Sequence, residues 1–202
     1  MNERADTKTR ILDAAEKLFG DKGFDATSLR DITAEADVNL AAVNYHFQSK
    51  EALISAVVMR WAGPMNIDRV ARLESYGENP TLEQILEAFV APVLEVRVDI
   101  NVMPFMGRVL GSPDVMVRLF KDHMVVVADR FTSALAKVLP ELNETDLLWR
   151  LHFTAGAMAH TITRAPLLNE LWQGKLDISD RQKVVDRLVA YAAAGFRAKG
   201  VE

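Results

Sequence analysis

Residues 9–54 read TRILDAAEKLFGDKGFDATSLRDITAEADVNLAAVNYHFQSKEALI. Ile11, Ala14, Ala15, Leu18 and Phe19 recur at three- and four-residue spacing, which makes one helical stripe, and Lys22-Gly23 closes it as a glycine C-terminus should. Thr27-Ser28 with Asp31 reads as the next start, a hydroxyl cap with an acid three residues on. Leu29, Ile32 and Ala36 form the buried side of that short helix. Val38-Asn39 restarts the chain, because asparagine is a strong N-cap and tolerates turn geometry. A third helix then runs from about Leu40 to His46. Ser49-Lys50-Glu51 opens a fourth, expected to reach about Trp61 before Gly63-Pro64 interrupts it.

Two short helices across a tight turn, preceded by a longer one, are the pattern of a three-helix DNA-binding unit. The first two helices bury Phe19, Leu29 and Ile32 as a stand. The third is expected to pack Leu40, Val43 and Phe47 inward and to present Asn39, Ala41, Ala42, Asn44, Tyr45 and His46 to a groove. Small residues at Ala41 and Ala42 permit close approach, and a methyl there can touch thymine. Asn44 can pair with an adenine edge, with Arg30 also near the bases. Tyr45, His46 and Lys50 are suited to backbone phosphates, and the helix start at Thr27 and Ser28 attracts an anion.

The run as a whole resembles the N-terminal domain of TetR-family transcriptional repressors. The matching elements are I-L-x-A-A-x-x-L-F, the turn from Gly23-Phe24 to Thr27-Ser28, and Tyr45-x-Phe47 followed by Ser49-Lys50-Glu51-x-Leu53. The resemblance implies a DNA-binding domain over residues 1–54 and a helical effector-binding and dimerisation domain over 55–202. Asp37 stands where the family usually has glycine, and aspartate is among the few residues that accept positive φ. Asn44 replaces a frequent aromatic, which should alter base preference. The segment NLAAVNYHF is similar to the subset of the family that responds to fatty acids or acyl-CoA.

Residues 1–50 hold seven Lys/Arg against nine Asp/Glu, so the DNA-binding reading depends on where the charges lie. The acids Asp13, Glu16 and Asp21 are expected on the far side, with Lys8, Arg30 and Lys50 facing the backbone.

The chain has 202 residues, half of them hydrophobic, with a net charge of −4 and no cysteine. Those figures exclude a disordered chain, disulfides, thiolate metal sites and cysteine nucleophiles. The polar start MNERADTKTR and the short apolar runs give no leader and no membrane span, so a cytoplasmic protein is expected. Beyond Gly77 helices are expected near Leu82–Val98, Val102–Leu110, Pro113–Leu139, Glu144–Ala165 and Ser179–Lys199. The fold is therefore read as all-α with about nine helices.

His152 and His160 lie two turns apart, with no HExxH spacing, and His123 stands elsewhere, so no metal is expected and no cofactor is called for. The methionine-rich middle of the chain suits a promiscuous apolar pocket. Its candidate lining is Phe89, Met103, Phe105, Met106, Phe120 and Met124, with Arg97 and Arg108 placed to hold a carboxylate head. Leu147, Leu148, Leu151, Ala155, Met158 and Ile162 form a stripe, as do Val184, Val185, Leu188, Tyr191, Ala192 and Gly195. Paired across a two-fold axis they would make a homodimer. The function expected is a ligand-released repressor that binds double-stranded DNA at a palindromic operator and takes a small apolar or amphipathic effector. The rival readings are an activator or a helical adaptor, and an enzyme on a helical bundle. Against the enzyme stand the missing nucleophile–base signature and the missing phosphate loop.

Overall fold

The computed structural model describes residues 3–95, 103–176 and 179–199. Among the described residues there are ten α-helices and no strand: α1 (Glu3–Lys22), α2 (Leu29–Glu35), α3 (Leu40–Phe47), α4 (Lys50–Ser75), α5 (Leu82–Glu95), α6 (Met103–Leu110), α7 (Pro113–Leu119), α8 (Val125–Val138), α9 (Glu144–Leu171) and α10 (Arg181–Arg197). A π-helical turn, Phe120–Met124, separates α7 from α8.

Two expected breaks are absent and one unexpected break is present. Helix α4 passes through Gly63-Pro64 to Ser75. A proline removes one ladder bond and crowds the preceding turn, but α4 is anchored by buried residues on either side of it, Val57 and Val58 before, Asn66 and Arg69 after. Likewise α9 continues past Pro166 to Leu171. The single helix expected over Pro113–Leu139 is divided by the π turn, an i→i+5 insertion that periodicity does not reveal.

The chain divides into two compact units, Met1–Pro64 with Val98–Asp122, and Met65–Arg97 with His123–Glu202. In the first, Ile11, Ala14, Ala15, Leu18 and Phe19 of α1 are buried against Ile32, Val43, Phe47, Leu53 and Val57. Gly23 ends α1 at φ +85°, its amide bonded to Phe19 O at 3.0 Å. At Gly20 helix α6 comes so close that an added Cβ would lie 3.2 Å from the Phe105 amide. Phe105 thereby joins this core, edge-on to Phe24.

In the second unit α5 is apolar on most of its circumference and occupies the centre, with Ile85, Leu86, Phe89 and Val90 buried. Phe131 and Leu135 of α8, Leu147 and Leu151 of α9, and Val185, Leu188 and Phe196 of α10 close around it. Arg72 ties α4 to α5 through Glu95 at 2.7 Å and Glu87 at 2.9 Å. Glu87 also accepts from the Tyr76 hydroxyl, which pushes the Tyr76 pKa up to about 12.

Candidate nucleic-acid interface

Side-chain caps set the two short helices. Ser28 Oγ accepts from the Asp31 amide at 3.1 Å while the Asp31 carboxylate accepts from the Ser28 amide at 2.8 Å, a closed capping box at the start of α2. The Ser28 hydroxyl and amide hold the Asp31 carboxyl below its ordinary value. Asn39 Oδ1 accepts from the Ala42 amide at 2.8 Å and so starts α3. Between the helices Asp37 takes φ +50°, and Arg10 of α1 donates to Ala36 O at 2.6 Å and to Asp37 O at 2.7 Å. That latch was not foreseen, because an arginine on a helix flank reads as surface.

The exit from α3 was not foreseen either. Gln48 sits at φ +64°, and the Ser49 amide bonds Phe47 O at 2.7 Å, a tight γ-turn. Ser49 Oγ then accepts from the Ala52 amide and caps α4. Removing the Asn39 cap by Asn39→Ala should cost about 0.5–2 kcal/mol, read as a shift of the urea unfolding midpoint with unchanged slope.

The caps orient α3 with Val43 and Phe47 buried and Ala41, Asn44 and Tyr45 exposed, Tyr45 at 69%. Asn39, Ser28 and Arg30 are also exposed, whereas His46 and Lys50 are half-buried. His46 lies edge-on to the Tyr45 ring with centroids 5.1 Å apart.

Three placements correct the sequence reading. Leu40 is 42% exposed and belongs to the outward arc with Ala41, Asn44 and Tyr45. As the first helical residue, it lies one turn before Asn44, on the open side. Ala42 is half-buried and packs against the core. Thr27 is fully buried and its hydroxyl lies 2.8 Å from Gly23 O and 3.1 Å from Leu18 O, so it staples the loop and leaves capping to Ser28. Its side chain has no proton or surface left for a phosphate.

Several acids of this unit are already engaged. Asp13 pairs with Arg60, Glu16 accepts from Trp61 Nε1 at 2.9 Å, Glu35 pairs with Lys17 at 2.6 Å, and Asp31 is used in the cap. Lys8 stands 6.0 Å from the centre of the Phe47 ring, beside the end of α3. Lys50 borders a small cleft of ≈ 190 Å³ that also contains Asp25, Glu51, Asp114 and Arg118. Its field is therefore partly offset by neighbouring carboxylates.

The residues proposed for an effector do not gather in one core. Phe105 and Met106 pack in the first unit, and Arg108 is exposed there, beside Gly23. Phe89 is buried in the second unit against Phe131, and Met124 Sδ accepts from Asn66 there. Arg97 and the side chains of Met103 and Phe120 lie outside the described residues. The second unit also carries an open groove of ≈ 580 Å³ bordered by Glu74, Glu78, Asp129, Arg130 and Lys137.

The expected dimer stripes divide, part buried within the subunit and part left open. Leu147, Leu151, Met158, Val185, Leu188 and Ala192 are buried within the second unit, where α9 and α10 pack on α5. Leu148 and Tyr191 of those stripes stay exposed, as do Trp149 and Phe153, whose rings lie 5.5 Å apart. Gly156 and Gly195 have open space before them. No helix among the described residues is long and apolar enough to cross a membrane.

The profile of "Bacterial regulatory proteins, tetR family" matches residues 11–57, and that of "Tetracyclin repressor-like, C-terminal domain" matches residues 87–195. The HTH-type transcriptional regulator UidR of Escherichia coli is 26% identical over 151 residues, 70% of this chain and 74% of that protein. The probable HTH-type transcriptional regulator YttP of Bacillus subtilis is 32% identical over 84 residues, 42% of this chain and 41% of its own length. Among solved structures, NalD, the secondary repressor of the MexAB-OprM multidrug efflux pump in Pseudomonas aeruginosa, superposes with a TM-score of 0.70 at 19% identity. The superposition covers 96% of this chain and 98% of NalD, a likeness of fold.

Proposed function

The chain belongs to the tetR family of bacterial DNA-binding transcriptional regulators, which are not enzymes, and from that premise we propose that it is a cytoplasmic repressor released by a small apolar or amphipathic effector. It binds a palindromic operator as a homodimer. Residues 1–54 form the DNA-binding domain, and residues 55–202 bind the effector and dimerise. The observation that carries the reading is the exposed arc of α3, with Leu40, Ala41, Asn44 and Tyr45 outward on a helix capped at its start and buried behind. A major groove offers thymine methyls to the outward leucine, and the flanking phosphates accept from the tyrosine hydroxyl.

In this reading Arg30, Ala41 and Asn44 lie nearest base edges, with Ala42 giving clearance and Leu40 adding apolar contact. Tyr45, His46 and Lys50 position the backbone, helped by the Ser28 and Asn39 helix starts. A two-fold dimer would set two such helices about 34–36 Å apart or slightly more. Release requires an effector that prefers the DNA-incompetent conformation; a swing from mostly bound to mostly free needs a preference of ~10⁴-fold, about 5.5 kcal/mol.

Two variants separate the roles. Asn44→Ala should relax preference at one base pair, losing ~1–3 kcal/mol of discrimination. Lys50→Ala should weaken binding to every sequence and lower the salt slope by about one ion. Anisotropy titrations on specific and random duplexes read both. Equal losses on the two duplexes for Asn44→Ala would remove the base-reading assignment, and no DNA binding at all would favour an adaptor.

A further inference from the structure

Arg69 is 4% exposed in the core of the second unit, and among the described residues it has no carboxylate partner. Its Nε donates to Phe89 O at 2.8 Å and Nη1 to Asn66 Oδ1 at 3.0 Å. Its Nη2 meets only the Met158 sulfur, at 3.8 Å, and the guanidinium stands 4.5 Å from the centre of the Phe89 ring. Asn66, itself buried, is in the same condition: its amide nitrogen donates to the Met124 sulfur at 3.2 Å. Thioether sulfur is a weak acceptor on an adaptable side chain. The arrangement is therefore a buried cation and a buried amide whose outer hydrogen bonds end on soft, movable stand-ins.

A buried charge without a counter-ion is costly, and such groups are normally paired. Burial lowers the Arg69 pKa to about 10, which still leaves it charged at neutral pH. A guanidinium has five donors. Three are engaged, so one proton remains on each terminal nitrogen, the fork that matches the two oxygens of a carboxylate. The π turn that ends at Met124 lies at this place, and such insertions often occur at functional sites.

We propose that Arg69, with Asn66 beside it, is the anchor for the carboxylate of an amphipathic effector whose apolar body lies against Phe89, Met124 and Met158. The inference rests on the effector reading above and names the effector's charge and the residue that recognises it. On binding, one carboxylate oxygen accepts from each terminal nitrogen of Arg69, displacing the Met158 sulfur from Nη2, and the methionine side chains turn to line the apolar tail. Arg97 and Arg108, the arginines singled out in the sequence, are not required.

The test is calorimetric titration of the full chain with three probes that share one tail: dodecanoate, dodecan-1-ol and dodecyltrimethylammonium. Wild type should bind dodecanoate roughly 10- to 100-fold more tightly than either other probe, the usual worth of hydrogen bonds to a charged group. Arg69→Met, similar in length and uncharged, should level the three affinities. Its apo melting temperature should hold or rise, because an uncompensated buried charge has been removed. Arg69→Lys should retain only part of the preference, since it keeps the charge and loses the fork. Equal binding of all three probes by wild type, or preference for the ammonium, overturns the anchor while leaving effector binding intact. Persistence of the carboxylate preference in Arg69→Met overturns it too. If none of the three binds, the anchor and the effector reading fall together, and operator binding is judged separately.

Discussion

Phe153→Glu should leave a folded chain that sediments as a monomer at micromolar concentration. Phe153 is 62% exposed on α9 and stacks beside Trp149, itself 56% exposed. Within one chain the substitution removes little packing, so the melting temperature of the monomer should stay close to that of a chain whose partner has been diluted away. In an isologous dimer each substitution occurs twice across the axis, and the two carboxylates would be buried against the apolar Trp149 rings. Gly156 on α9 and Gly195 on α10 leave open space, the condition for close approach of a second pair of helices into a four-helix bundle. Loss of the dimer removes the second half-site, and the operator affinity should fall by roughly 10²–10⁴-fold as the effective-concentration gain disappears. Analytical ultracentrifugation reads the first effect and anisotropy the second. A dimer that survives both Phe153→Glu and Trp149→Glu would move the interface to another face.

Phe19→Ala should abolish DNA binding without touching any residue of the outward arc. Phe19 is wholly buried in the first unit, with the Phe24 ring centred 5.4 Å away and α6 close at the adjacent Gly20. Truncating a buried phenylalanine costs about 3–5 kcal/mol in lost transfer energy and residual cavity. Total stability in ordinary proteins is only ~5–15 kcal/mol, so this one change consumes a large share of it. The stand beneath α2 and α3 should loosen at growth temperature. Circular dichroism melting should show a drop of many degrees, and the conservative Phe19→Leu variant should recover most of it. An unchanged melting temperature would mean that α1 does not support the unit as described.

The features legible in the sequence are those set by local chemistry. The α1 stripe, the Gly23 stop, the Ser28 and Asn39 caps and the positive φ at Asp37 each depend on residues a few positions apart. Features set by distant partners were not legible. Thr27 and Ser28 look alike as hydroxyl residues, and only the path of the loop past Leu18 decides that Thr27 is buried. The stripes on α9 and α10 announced that a face is covered, but spacing does not say whether α5 or a second subunit covers it. Pro64 looks like a helix end because the ladder penalty is local while the compensating packing is not. Arg69 and Asn66 look like surface residues for the same reason, as arginine is almost never fully buried unless paired.

Anisotropy of a labelled duplex taken from the region flanking the protein's own gene decides whether the arc of α3 reads DNA. The expected result is saturable binding with Kd in the range ~10⁻⁸–10⁻¹¹ M, at least about 10³-fold tighter than random duplex at the same salt, with the difference lost in Asn44→Ala combined with Tyr45→Ala. Binding no tighter than to random duplex, or unaltered by the double substitution, would contradict it.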